Sequence, residues 1–95
     1  MTMKKVEGKL FELGQVVSTP GALTLAESGL NLVNYLMRHA SGDWGDLSPG
    51  DKKENNLSVK QGFRIFSSYK TPLGKLWIIT EADRSVTTFL LPEDY

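Results

Sequence analysis

The densest group of polar side chains in this 95-residue chain lies between Arg38 and Asp46. His39 is the only histidine, so it is the only side chain with an unperturbed pKa near neutrality, and Asp43 or Asp46 could orient it as a general acid or base. The alternative interpretation is structural, with His39 at a helix C-terminus, the aspartates bonded to loop amides and Trp44 in the core. The sequence leaves both interpretations open.

A second arrangement would combine His39 with polar side chains further along the chain. These are Arg64, Ser68, Tyr69, Thr80, Arg84 and Thr87. Helices followed by an antiparallel sheet that carries such residues resemble in layout the small bacterial ribonuclease toxins of the barnase and RelE type. Side chains alone can supply the base, the acid and the cation that such a reaction needs. No motif is shared, and the chain lacks the basic character expected of an RNA-cleaving toxin.

Composition narrows the classes of function. The eleven basic and eleven acidic residues cancel, which argues against a strong non-specific DNA-binding protein, because such proteins need many phosphate contacts. The absence of cysteine excludes thiol nucleophiles and thiolate metal sites. One histidine with loosely spaced carboxylates does not favour a metal site, and the glycines at 42 and 45 flank an acidic segment that would repel phosphate. We therefore expect no metal and no cofactor.

The N-terminal residues carry positive charge but no apolar segment follows them. We expect a cytoplasmic protein without a membrane segment, folded as one α+β domain over residues 1–95, with residues 1–8 loosely held.

The C-terminal third predicts three strands, over residues 63–70, 75–81 and 85–91, because each run is rich in β-branched and aromatic residues between turn formers. Pro72 and Gly74 suggest a three-residue loop with a G1 bulge, which would pair Thr71 with Lys75. A tight turn at residues 83–84 would pair Glu81 with Val86. The prediction is therefore an antiparallel three-stranded meander.

The predicted register assigns each side chain to one of two faces. The predicted core face contains Phe63, Ile65, Tyr69, Trp77, Ile79, Val86 and Leu90. The other face contains Arg64, Phe66, Ser68, Lys70, Ile78, Thr80, Thr87 and Phe89. The three apolar residues of the second set, Phe66, Ile78 and Phe89, either form a minor core under a helix or mark a binding surface.

The segments before the meander predict an edge strand and short helices. Residues 10–18 form the strand, interrupted at Gly14. Thr19 and Pro20 are predicted to open a helix over residues 21–27. Asn31 is the predicted N-cap of a helix in the segment 31–40, and Ser48 that of a helix over residues 49–57. The fold class is α+β, with an antiparallel sheet packed against two or three short helices, and an unmatched sheet edge that could pair with a second copy as a homodimer.

Four segments carry a resemblance to known proteins. They are LGQVVSTPGAL at 13–23, RHASGDWGD at 38–46, WIITEADRSVTT at 77–88 and LPEDY at 91–95. Together they resemble a family of small bacterial proteins described as plasmid-related, some of which are labelled as type I restriction-modification subunits. A chain of 95 residues is too short for a methyltransferase domain. The resemblance implies an accessory role for a mobile genetic element, and it supplies no catalytic residues to carry over to this chain.

The leading hypothesis is a non-enzymatic binding protein that contacts a protein or nucleic-acid partner. Its predicted binding residues are Arg64, Phe66, Ser68, Thr80 and Phe89 on the sheet, with Asp43 and Trp44 in the loop. The alternative is a metal-independent ribonuclease-like enzyme, with His39, Arg64, Arg84 and Thr87 as candidate catalytic residues.

Overall fold

A computed structural model describes residues 9–95, so the prediction of a loosely held segment at residues 1–8 lies outside the described part of the chain. In chain order the elements are β1 (Gln15–Ser18), α1 (Pro20–Glu27), α2 (Leu32–Ala40), α3 (Pro49–Gln61), β2 (Ile65–Thr71), β3 (Gly74–Thr80), β4 (Val86–Leu90) and a 3-10 turn (Pro92–Asp94). The α+β prediction is confirmed: three helices pack on a four-stranded sheet that is mostly antiparallel.

The helices begin where side-chain caps are available. The side chains of Thr19, Asn31 and Ser48 each accept a hydrogen bond from the backbone N–H three residues on. Such caps satisfy one of the free donors at a helix start and stabilise it by about 1 kcal/mol. The third helix continues four residues beyond the predicted end and stops at Gly62, whose φ of 79° is left-handed.

The sheet has the strand order β1-β4-β3-β2. The N-terminal strand is shorter than predicted and runs parallel to β4, which makes the sheet mixed. Gly14 precedes the strand rather than interrupting it: its φ is 63°, and a Cβ there would collide with the backbone of Arg84 and Ser85. The glycine therefore lets the chain pass close to the start of β4 before β1 begins.

The first hairpin differs from the prediction by one residue. Thr71 pairs with Gly74 across a two-residue turn, so Tyr69 lies opposite Leu76. The Thr71 hydroxyl closes this turn, because it accepts a hydrogen bond from the Leu73 amide at 3.1 Å and donates one to the Gly74 carbonyl at 2.5 Å. A one-residue shift turns every side chain of the following strand to the opposite face.

The second hairpin has the predicted register, with Ile78 opposite Phe89 and Ile79 opposite Thr88. The predicted faces of β3 and β4 are consequently both wrong, whereas Ile65, Phe66 and Tyr69 of β2 have the predicted orientation. The face under the helices, called the covered face, carries Ile65, Ser67, Tyr69, Leu76, Ile78, Thr80, Thr87 and Phe89. The opposite face, called the open face, carries Arg64, Phe66, Ser68, Lys70, Lys75, Trp77, Ile79, Thr88 and Leu90.

Two apolar clusters hold the helices to the covered face. The larger contains Ala22, Tyr69, Leu76, Ile78 and Phe89, with partly buried side chains of the first two helices against it. The smaller contains Phe11, Trp44 and Ile65. Burial of each large apolar side chain contributes about 1.5–3 kcal/mol. Phe63, predicted in the core, is exposed, because the chain only enters β2 at Ile65.

The two edges of the sheet differ. Along β2, the side-chain amide of Asn55 bonds both the N–H and the C=O of Phe66, and the 44–46 loop does the same for Ser68 through the Trp44 carbonyl and the Asp46 amide. Along β1, all four residues are exposed. One edge is thus occupied by the chain itself, and the other faces solvent.

Candidate functional site

His39 lies inside the protein, between the end of α2 and the covered face of the sheet. Its ring is fully buried, with Nδ1 2.6 Å from the Ser67 hydroxyl and Nε2 2.9 Å from the Thr80 hydroxyl. The Thr80 hydroxyl is 2.7 Å from that of Thr87, which donates to the Leu13 carbonyl at 2.7 Å. These groups form one continuous series of hydrogen bonds.

The number of hydroxyl protons fixes the direction of these bonds. Thr87 gives its proton to the Leu13 carbonyl, so it accepts from Thr80, and Thr80 in turn accepts from the Nε2–H of His39. Burial lowers the pKa of His39 to about 3, so the ring is neutral and its Nδ1 accepts from Ser67. Every polar atom of the ring is satisfied within the core, and no lone pair is left for proton transfer to a substrate.

Arg84 adopts an unusual backbone conformation, and its side chain has a structural role. Its φ of 61° is in the left-handed region, which costs a non-glycine residue roughly 1 kcal/mol. Its guanidinium donates to the carbonyls of Ser58 and Phe63, at 2.9 and 2.7 Å, and to two carbonyls of its own turn. The Phe11 ring contacts both this guanidinium, at 5.6 Å, and the His39 ring, at 5.3 Å. The two candidate catalytic groups therefore both lie against the Phe11 ring, and each makes its hydrogen bonds to other partners.

The loop after α2 uses its polar groups for its own structure. Asp43 accepts from Arg38 Nε at 2.7 Å and from the Gly45 amide at 3.2 Å, and the bond from Arg38 holds the pKa of Asp43 below its usual value. Trp44 is buried, with its indole N–H donating to Asn56 at 3.0 Å. The Tyr69 hydroxyl donates to the Asp43 carbonyl, and burial raises the pKa of Tyr69 to about 12.

The structure divides the predicted binding residues between the two faces. Arg64, Phe66 and Ser68 lie on the open face, as predicted, but Ser68 is buried there, at 5% exposed. Thr80 and Phe89 are buried on the covered face. The predicted set is therefore not one surface, and of its sheet residues only Arg64 and Phe66 lie together and accessible.

A shallow recess of about 290 Å³ occupies the open face. It is lined by Arg64, Phe66, Trp77, Ile79 and Tyr95. The Trp77 ring meets Phe66 edge-on with centroids 4.8 Å apart, and Tyr95 with centroids 5.8 Å apart. Aromatic pairs in this geometry are stabilising. Tyr95 forms one wall of the recess and is 73% exposed, so the recess opens to solvent beside the Tyr95 ring.

The charges around this recess are paired. Arg64 donates to the Tyr95 hydroxyl at 2.9 Å and to Glu81 at 3.3 Å. The bond to Tyr95 makes the largest contribution to raising the pKa of Arg64, and Glu81 adds to it. Further along β2, Lys70 lies 3.6 Å from Asp46. The indole N–H of Trp77 is shielded from solvent and has no hydrogen-bond partner within residues 9–95. Such a donor costs about 1–3 kcal/mol relative to a bonded one.

Trp77, Ile79 and Tyr95 were not among the residues expected to bind. Trp77 and Ile79 were assigned to the core face because of the one-residue error in the first hairpin. Tyr95 reaches the sheet because the 3-10 turn folds back, with Asp94 accepting from the Leu91 amide at 3.0 Å and from the Thr19 hydroxyl at 2.7 Å. The signal was present in the sequence, since Leu91 and Pro92 before two acidic residues are typical of a short turn that begins at a proline.

Two absences among the described residues bear on other classes of site. Within residues 9–95, no group of three or more histidine, cysteine or carboxylate side chains is placed to hold a metal ion. None of the helices in that range has both the length and the apolar character to cross a bilayer.

Comparison with known proteins adds no assignment: no protein-family model, curated protein or solved structure matches this chain.

Proposed function

We propose that this chain is a non-enzymatic binding protein that holds a segment of another protein on the open face of its sheet. The observation that carries the proposal is the recess between Arg64, Phe66 and Trp77, walled by Tyr95. It is apolar at its base, where Ile79 is nearly buried, and it has hydrogen-bonding groups only at its rim. An apolar or aromatic side chain of a partner fits these properties.

The charges favour a protein partner over a nucleic acid. Arg64 and Lys70 each have a carboxylate within 4 Å, and the chain carries no net charge. Affinity for nucleic acid comes largely from cations that replace the counterions of phosphates, and paired cations are poorly available for that exchange. The polar rim and apolar centre instead match the usual composition of a protein interface.

The burial of His39 supports a role without catalysis. A general base needs to be within hydrogen-bond reach of its substrate, whereas both nitrogens of this ring are bonded inside the core. Cytoplasmic location and an accessory role for a mobile element complete the proposal, and both come from the sequence: its composition and its resemblance to plasmid-related proteins.

Photo-crosslinking tests the proposed face. Benzoylphenylalanine in place of Phe66 should give discrete protein adducts in a host extract, whereas the same group in place of Val33, which is 60% exposed on α2, should give none. Removing the wall of the recess with Tyr95→Ser should reduce the adducts at position 66 about fivefold or more, with the fold unchanged because this side chain is exposed. Equal labelling from both positions would overturn the proposal.

Incubation with labelled RNA separates this proposal from the ribonuclease alternative. The purified protein should leave the RNA intact, because the one imidazole is sealed in the core. Cleavage that is lost in a natively folded Arg64→Ala variant would show that the open face performs chemistry. That result would reject a purely binding role.

A further inference from the structure

β1 is the exposed edge strand of the sheet. Its hydrogen bonds to β4 alternate along the chain: the amide of Gln15 bonds the Ser85 carbonyl at 3.0 Å, and the amide of Thr19 bonds the Phe89 carbonyl at 2.9 Å. In a parallel ladder with this register, Val17 also points its backbone groups toward β4. The N–H and C=O groups of Val16 and Ser18 therefore point away from the sheet.

This edge strand is short, at four residues, but within residues 9–95 it has no charge, proline, bulge or covering segment to protect it. The segment Gln-Val-Val-Ser contains no charged residue and no proline, and its valines are 42% and 37% exposed. Charged side chains, proline, bulges or a covering segment are the usual protection. The opposite edge has such a cover along its middle, because Asn55 and the 44–46 loop bond the outward groups of Phe66 and Ser68 in β2. The contrast identifies β1 as the edge that is available to another strand.

We propose that β1 pairs antiparallel with β1 of a second copy of this chain, about a two-fold axis at Val17. Val16 of each copy then lies opposite Ser18 of the other. The N–H and C=O groups of Val16 and Ser18 are therefore bonded in both copies. Val17 faces its own counterpart on the axis, as a non-hydrogen-bonded pair with closely spaced side chains. The two sheets become one sheet of eight strands.

A second copy fits this edge for two reasons. The strand is uncharged, so two copies meet without repulsion between like charges. The register that satisfies Val16 also satisfies Ser18, so one two-fold operation completes both sides, which is the commonest symmetry of homo-oligomers. The contact is small compared with a standard interface of about 1,600 Å², so we expect a weak dimer with a dissociation constant of roughly 10 μM to 1 mM.

Sedimentation equilibrium on the full chain from about 10 μM to 1 mM measures the dimer. Ser18→Pro removes one outward N–H and leaves the bonds of Val17 and Thr19 to β4, so it should weaken association about tenfold or more. Val17→Lys places two like charges on the two-fold axis and should weaken association by a similar factor. Added salt should reduce this effect, because it screens the repulsion. Val33→Lys, an equal change on α2, is the matched control and should leave association unchanged.

Hydrogen exchange gives an independent readout at the residue level. The amides of Val16 and Ser18 should become protected as the concentration rises, whereas that of Val17 should be protected throughout because it bonds β4. A chain that is monomeric at 1 mM overturns the proposal. A dimer that Ser18→Pro and Val17→Lys leave intact, in variants whose amide spectra show the native fold, also overturns it.

Discussion

The two faces of the sheet use polar side chains in opposite ways. On the covered face, Ser67, Thr80 and Thr87 join His39 in a closed set of hydrogen bonds that ends on a backbone carbonyl. On the open face, the polar groups lie at the rim as surface ion pairs, and the indole N–H of Trp77 has no partner in the described chain. Polar side chains on the covered face therefore bond one another inside the fold, whereas those at the rim of the open face form surface ion pairs, which contribute little to stability.

Two adjacent threonines give the sharpest test of this contrast. Thr87→Val should lower the free energy of unfolding by about 2–3 kcal/mol, because Thr80 loses its acceptor and the buried Leu13 carbonyl loses its donor. Thr88→Val makes the same chemical change one residue later, on the open face, and should change stability by less than about 0.5 kcal/mol. Urea denaturation measures both. Equal losses would mean that the two faces do not differ in this respect.

Acid should act on the covered face through His39. Its pKa is about 3 in the folded protein and near 6.5 when unfolded, so the unfolded chain binds the proton more tightly. The contribution of His39 to stability is fully present above pH 6.5 and is lost progressively as the pH falls toward 3, by roughly 2 kcal/mol at pH 5.

Denaturation at pH 7 and pH 5 measures this loss. The chain has one histidine, so a His39→Gln variant should be less stable at pH 7 and should lose most of the difference between the two pH values. An imidazole that titrates near pH 6.5 by NMR in the folded protein would contradict the buried, neutral ring.

The two tryptophans give the smallest expected effect. Trp44→Phe removes the bond to Asn56 and should cost about 1–2 kcal/mol beyond the change in volume. Trp77→Phe removes a donor that has no partner, which offsets the lost contact area, and should change stability by less than about 1 kcal/mol. Thermal unfolding of both variants compares them. A larger loss at Trp77 would indicate that its N–H is satisfied in solution.

The local parts of the fold could be predicted because local chemistry decides them. Thr19, Asn31 and Ser48 begin helices as expected, since a cap needs only the residue and the three that follow it. The second hairpin was predicted correctly for the same reason. The first was wrong because Thr71 closes a shorter turn with its hydroxyl, an interaction that Pro72 and Gly74 do not reveal.

The candidate site was predicted less well because it depends on contacts between distant segments. His39 was recognised as unusual, but its partners lie 28 and 41 residues away on the sheet, and the orientation of Thr80 followed from the register that was wrong. Trp77 could not be assigned to the recess for the same reason. Arg84 could not be recognised as a structural residue, because the carbonyls of Ser58 and Phe63 approach it only after folding.

Asn55 has a consequence for how far this protein can polymerise. Its side-chain amide mimics one residue of a neighbouring strand, so the central part of β2 offers no template for growth. A molecule with templates at both edges can add copies without end and form fibrils, whereas a molecule with one template stops after a single addition. Asn55 and the 44–46 loop together cover the middle of the β2 edge, so the proposed pairing at β1 would end with two copies.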